Sequence, residues 1–134
     1  MGRRAARESA FKLLYQMEFQ KGEEEAQIEG FLKEYAVDPK EQDYFLSVVR
    51  GVVLHRDELD AAFSKHLKGW TLNRLPRVDL SILRVATYEI VYLKDVPFSV
   101  SVNEAVELAR KYCAEESRGY INAVLGKLDP GGPG

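Results

Sequence analysis

Arg77-Val78-Asp79-Leu80-Ser81-Ile82-Leu83-Arg84-Val85-Ala86-Thr87-Tyr88-Glu89-Ile90-Val91-Tyr92-Leu93 is apolar almost all the way round when wound as a helix. Val78, Ile82, Leu83, Val85, Ala86, Ile90, Val91 and Leu93 leave it no broad polar face, so other elements must surround it. Lys94-Asp95-Val96-Pro97 ends it, because proline disfavours helix in the residue before it. A buried central helix implies an all-α bundle if enough amphipathic helices exist to cover it.

The flanking sequence supplies them. Residues 3–20 place Ala6, Ala10, Leu13, Leu14 and Met17 on one face, and residues 24–36 do the same with Ile28, Phe31, Leu32 and Tyr35. Asp38-Pro39 is a helix start, with Asp as cap and Pro at the first helical position. The helix it opens runs to about residue 54 and buries Phe45, Val48, Val49 and Val52. A segment over about 56–67, with Leu59, Ala62, Phe63 and Leu67 on one face, either continues that helix or breaks from it near His55. Residues 68–76, holding Gly69, Trp70, Asn73 and Pro76, read as a connector, with Trp70 as a core plug.

Beyond the central helix, Ser101 and Glu104 stand at capping-box spacing, so a helix is expected over 102–113. Phe98-Ser99-Val100-Ser101-Val102 alternates like a strand but has nothing nearby to pair with, and reads as an extended lead-in. A last helix over about 115–128 buries Ile121, Val124, Leu125 and Leu128. The expected fold is all-α, with six to seven helices. Residues 1–128 are expected to form one helical domain, and the Pro/Gly-rich stretch 129–134 a disordered tail.

The 134 residues, 46% hydrophobic and 30% charged, have the composition of a globular chain with room for a core. A net charge of −2 exerts no global pull on a polyanion, so a nucleic-acid site would have to be a local patch. One exists in the sequence. Residues 1–12 set Arg3, Arg4, Arg7 and Lys12 against Glu8 alone, a net +3, whereas residues 23–43 set eight carboxylates against Lys33 and Lys40, a net −6. At about 100° per residue, Arg3, Arg7 and Arg4 fall at roughly 0°, 40° and 100° on one helix. Phe11 and Tyr15 extend their stripe. Guanidinium forks suit phosphate oxygens and rings suit bases; the same residues also fit a solvated basic terminus with both rings in the core.

Signals for catalysis are poor. His55 and His66 are eleven residues apart, which matches no metal-ligand spacing. There is no Cys/His cluster, nucleophile elbow or glycine-rich phosphate loop. The expectation is therefore no enzyme, no metal and no cofactor. Cys113 is the one cysteine and reads as a small buried hydrophobe. No apolar run approaches the ~18 residues of a membrane span, and no apolar region follows the basic N-terminus as in a signal peptide. Cytoplasm is the expected location. Asp79 and Arg84, on the apolar helix, suit either ion pairs within the chain or the polar rim of a protein interface.

Four blocks carry a resemblance. Arg3-Arg4-Ala5-Ala6-Arg7-Glu8 with Leu14-Tyr15 resembles the opening arginine motif of the NusB family. Trp70-Thr71-Leu72-Asn73-Arg74-Leu75, Val78-Asp79 and the run Ile82 to Ile90 are similar to its central block. Asp95-Val96-Pro97 with the run Val102 to Lys111 is similar to its most recognisable stretch, and Tyr120-Ile121-Asn122-Ala123-Val124-Leu125 to its closing block.

The resemblance spans residues 3–128 and implies a transcription antitermination factor built as two packed helical bundles. Such a factor pairs with NusE, a ribosomal small-subunit protein, and with it binds single-stranded boxA RNA. The complex joins elongating RNA polymerase, chiefly at ribosomal RNA operons. By position, Arg3, Arg4, Arg7 and Tyr15 would contact RNA, Glu116 and Tyr120 would complete that surface, and Asp79 with Arg84 would face NusE. A homodimer stays open. The chain departs from the family at Cys113-Ala114, where a Gly and often a polar residue are usual, at Ala123 (usually Gly) and at Tyr120 (usually Phe). Two other readings are a protein-interaction module without RNA binding and a NusB-like domain of an RNA methyltransferase. For the second, a chain ending at residue 134 with no glycine-rich loop leaves no expected room.

Overall fold

The computed structural model describes residues 2–130. Seven α-helices are present: α1 (Gly2–Phe19), α2 (Glu24–Glu34), α3 (Gln42–Leu54), α4 (Arg56–Ser64), α5 (Arg77–Tyr92), α6 (Phe98–Tyr112) and α7 (Glu115–Gly126). Short 3-10 turns at Pro39–Glu41 and Leu72–Arg74 precede α3 and α5, and there is no strand among the described residues. Residues 131–134 of the expected disordered tail lie outside the described residues.

Helix α5 is buried without interruption from Asp79 to Ile90, as its all-round apolarity requires. Helices α1, α3, α4, α6 and α7 all pack on it. Helix α1 also meets α2 and α3, α2 touches α3 through Phe31 on Phe45, and α6 meets α7, so α5 is the element shared by two packed groups. Phe11, Phe45, Phe63, Leu83, Ile121 and Leu125 fill the space between the helices. Asp38 caps the turn before α3, accepting from the Lys40 amide at 3.0 Å. The chain breaks at His55 (φ −107°, ψ 20°), which resolves the join between α3 and α4.

Two local expectations are corrected. Helix α6 begins at Phe98, not 102, and Ser101 is no cap. Phe98, Ser101, Val102 and Ala105 form an i, i+3, i+4, i+7 stripe towards the core. The Ser101 hydroxyl, at capping-box spacing from Glu104, is instead buried and donates to Glu89. Tyr35 lies just past the end of α2 in extended backbone and is half exposed.

Helices α3 and α5 approach so closely at Gly51 that a Cβ there would overlap the Tyr88 ring, whose hydroxyl is 3.0 Å from Ser47. Gly51→Ala is therefore expected to lower stability by about 1–3 kcal/mol through overpacking, although alanine is the better helix former by ~1 kcal/mol. Thermal unfolding checks this: an unchanged or raised Tm contradicts the close packing.

Candidate nucleic-acid interface

The start of α1 faces α6. Arg4 reaches across in a fork, with Nε 2.9 Å and Nη2 2.7 Å from the Glu104 carboxylate, and its side chain remains 73% exposed. Arg3 points to the α3 side, where Nε is 2.6 Å from Glu41 and the guanidinium stands 4.2 Å over the Tyr44 ring. One turn beyond Arg4, Glu8 accepts from Lys111 Nζ at 2.7 Å and from the Tyr112 hydroxyl. Burial pushes the Glu8 carboxyl up, but these donors outweigh it and hold it below the usual carboxylate range.

The Tyr112 ring rests on Phe11 at 5.1 Å, and the Lys12 and Lys111 ammonium groups stand 5.9 and 5.4 Å from its centroid. Tyr15 and Phe19 continue along α1, edge to face at 5.1 Å, and both are exposed. Arg4, Lys12, Tyr15, Lys111 and Tyr112 thus line one seam of cations and rings between α1 and α6. Such a seam offers phosphate oxygens charge-assisted partners and bases a ring to stack on.

Arg7 is not part of that surface, and its expected place in an exposed stripe is corrected. It is 4% exposed, and its guanidinium holds the fully buried Glu89 carboxylate at 2.7 and 3.3 Å. Glu89 also accepts from Ser101 at 2.7 Å and from the Tyr44 hydroxyl. Burial first, then the neighbouring Glu89 charge, pushes the Tyr44 hydroxyl up, so it stays a donor. Phe11, read as a possible extension of the same stripe, is in the core, whereas Tyr15 is exposed.

Asp79 and Arg84 are likewise corrected: neither reaches the surface as a partner-facing group. Asp79 is 1% exposed and accepts from Ser117 at 2.7 Å and from the Tyr120 hydroxyl. Arg84 forks onto Asp60 with two 2.8 Å bonds and donates a third, also 2.8 Å, to Glu18. Asp79, Arg84 and Glu89 are five residues apart, about 140° of rotation at each step. They therefore leave α5 in three directions: Asp79 fastens α7, Arg84 fastens α1 and α4, and Glu89 fastens α1, α3 and α6. A helix surrounded on all sides can carry polar groups only if each meets a partner.

Tyr120 is half-buried, with its ring stacked on Trp70 at 6.1 Å and 19°. Trp70 is not a core plug, since 44% of it is exposed. Glu116 is exposed in the first turn of α7. Burial, then the neighbouring Asp79 carboxylate, pushes the half-buried Cys113 thiol up.

The sequence model described as the NusB family matches residues 4–130. The chain belongs to the NusB family. The "Transcription antitermination protein NusB" of Acetivibrio thermocellus is 49% identical over 128 residues, covering 96% of this chain and 88% of that one. Among solved structures, T. maritima NusB superposes with a TM-score of 0.88 at 36% identity, over 96% of this chain and 90% of that one. The structure of antitermination factors NusB and NusE in complex with dsRNA matches with a TM-score of 0.84 at 25% identity, over 93% of each chain.

For this NusB-family chain, the residues missed in the sequence are Lys111 and Tyr112, and Glu104 as the partner of Arg4. A signal for them existed. Arg4, Glu8 and Lys12 alternate in sign along α1, and Glu104 and Lys111 supply the complementary order along α6. Among the described residues, no group of three or more His, Cys, Asp or Glu side chains is arranged to hold a metal ion, and no helix is long and apolar enough to cross a membrane.

Proposed function

We propose that this protein is a non-enzymatic transcription antitermination factor that binds boxA-type single-stranded RNA through the α1–α6 seam. It does so together with NusE, without a cofactor, and joins elongating RNA polymerase in the cytoplasm, chiefly at ribosomal RNA operons. The observation that carries this reading is the seam itself. Arg4, Lys12 and Lys111 are exposed beside the rings of Tyr15 and Tyr112, and every arginine or lysine there sits close enough to a carboxylate or ring to be held in place. Arg3 flanks the seam and Arg7 supports it from within, so the arginine motif divides into contact and scaffold. Glu116 and Tyr120 lie beyond the turn that joins α6 to α7. The burial of Asp79 and Arg84 supports a NusE contact made by other side chains. The likeness to a NusB chain solved with NusE and RNA supports the same pairing here.

A salt-dependent titration of labelled single-stranded boxA-type RNA and of a duplex, with and without NusE, tests this. Arg3→Ala and Arg4→Ala are each expected to weaken binding alike for matched and scrambled RNA. Each should flatten the log–log salt slope by about 0.7, with the melting temperature nearly unchanged because both side chains are at the surface. If the double variant binds as tightly as the parent at low salt, the seam is a protein-interaction surface and the RNA reading is wrong.

A further inference from the structure

The connector from Lys65 and the first residue of α5 carry Lys65, Lys68, Arg74 and Arg77 and no carboxylate, a net +4 in a chain whose total is −2. Lys65, Lys68 and Arg74 are exposed; Arg77 lies 3.8 Å from Glu18. Between these cations in the sequence stands Trp70. Gly69, at φ 78°, makes the left-handed turn that sets the indole off from α4. One ring face has a fixed support, because Tyr120 stacks on it and is itself held through its hydroxyl by the buried Asp79. The rest of the indole is left to solvent, 44% of its surface. The place is continuous with the α1–α6 seam through the turn after α6. Tyr112 packs on Phe11 at the seam, and the next two residues, Cys113 and Ala114, lead directly into α7, which carries Tyr120.

We propose that Trp70, supported by Tyr120 and carried on a cation-rich connector, is a stacking platform for one unpaired base of the bound RNA. This rests on the RNA-binding reading above and deepens it. The chemistry favours a base over an apolar side chain of a protein partner. Trp70 is the only large hydrophobic exposed on the connector among the described residues, whereas a protein docking patch needs a contiguous apolar area. A lone exposed ring on a cationic connector serves a polyanion with flat bases, and every base has a face to stack. The platform requires an unpaired base, so it discriminates single strand from duplex.

Trp70 is the one tryptophan of the chain, so its intrinsic emission reports on this site alone. The probe is a short, end-labelled, unstructured RNA oligonucleotide, compared with its blunt duplex, and binding is followed in parallel by anisotropy of the label. The single strand is expected to quench Trp70 emission with the same midpoint as the anisotropy, and the duplex to bind without the quench. Trp70→Ala should weaken single-strand binding roughly 5- to 150-fold and leave the salt slope unchanged. Arg4→Ala should lower the slope and leave the quench at saturation intact. Trp70→Phe, which keeps a ring, should lose less than Trp70→Ala, and it decides the matter if the alanine variant melts early.

Single-strand binding without an emission change, or with unaltered affinity in both Trp70 variants, overturns the platform and leaves the RNA reading standing. An emission change on adding NusE alone, with none on adding RNA, assigns the ring to a protein partner and overturns it too. Absence of any anisotropy change for the parent overturns the RNA reading, and the platform with it.

Discussion

Arg7→Ala is expected to lower stability by about 3–5 kcal/mol, the usual consequence of removing one partner from a buried ion pair. At this chain length that is a fall in Tm on the order of 10–20 °C. Arg7 and Glu89 are 4% and 0% exposed, and two of the guanidinium nitrogens face the carboxylate at 2.7 and 3.3 Å. Without the arginine, Glu89 keeps only the hydroxyls of Ser101 and Tyr44, which cannot neutralise a buried charge.

Urea unfolding followed by circular dichroism measures the effect. An Arg7→Met, Glu89→Leu double variant should recover part of it, because the unpaired charge is gone. Recovery stays incomplete because two buried hydroxyls lose their acceptor, at about 1–3 kcal/mol each. RNA affinity per folded molecule should be unchanged. An Arg7→Ala variant of parental stability with lost RNA binding would instead place Arg7 on the phosphates.

Asp79→Lys is expected to be comparably severe, at least about 3–5 kcal/mol, since it removes a buried carboxylate and buries an unpaired ammonium. Asp79 receives the Ser117 and Tyr120 hydroxyls and so ties α7 to α5. Lysine brings three donors and no acceptor to that place. Loosening α7 should also disturb the Trp70 ring through Tyr120, so the parent-like emission of Trp70 should be lost along with stability. Tyr120→Phe, which keeps the ring but removes one donor to Asp79, should cost about 1–3 kcal/mol of stability. Its RNA binding should hold, since the ring that supports Trp70 remains. If Asp79→Lys folds as well as the parent and weakens only the complex with NusE, Asp79 belongs to the partner surface after all.

The helices could be read from local pattern because burial imposes a period on the chain. Leu13, Leu14 and Met17 on α1, or Val48, Val49 and Val52 on α3, repeat at the spacing of one helical face, and all are buried. The absence of a polar face on α5 likewise announced a helix enclosed by others. Pattern failed where a buried position is polar. Ser101 sits in the core stripe of α6, and its capping-box spacing to Glu104, with the strand-like alternation before it, places the start of that helix a turn late.

The charged residues show a different limit. Arg4 and Arg7 are three residues apart on one helix and belong to the same motif, yet Arg4 meets Glu104 at the surface and Arg7 meets Glu89 in the core. Nothing in the local sequence separates them. Which way α1 is rotated against α5 and α6 decides it, and that rotation is a property of the packed bundle.

The same holds for Asp79 and Arg84. Their partners lie 38 and 24 residues away at Ser117 and Asp60, and a carboxylate or guanidinium on an apolar helix looks alike whether it faces a partner protein or its own chain. Periodicity is carried by neighbours in sequence, so the helices and the core could be found there. The pairing of buried charges is carried by neighbours in space, and only the packed helices place Arg7, Asp79 and Arg84 as ties between α5 and its neighbours.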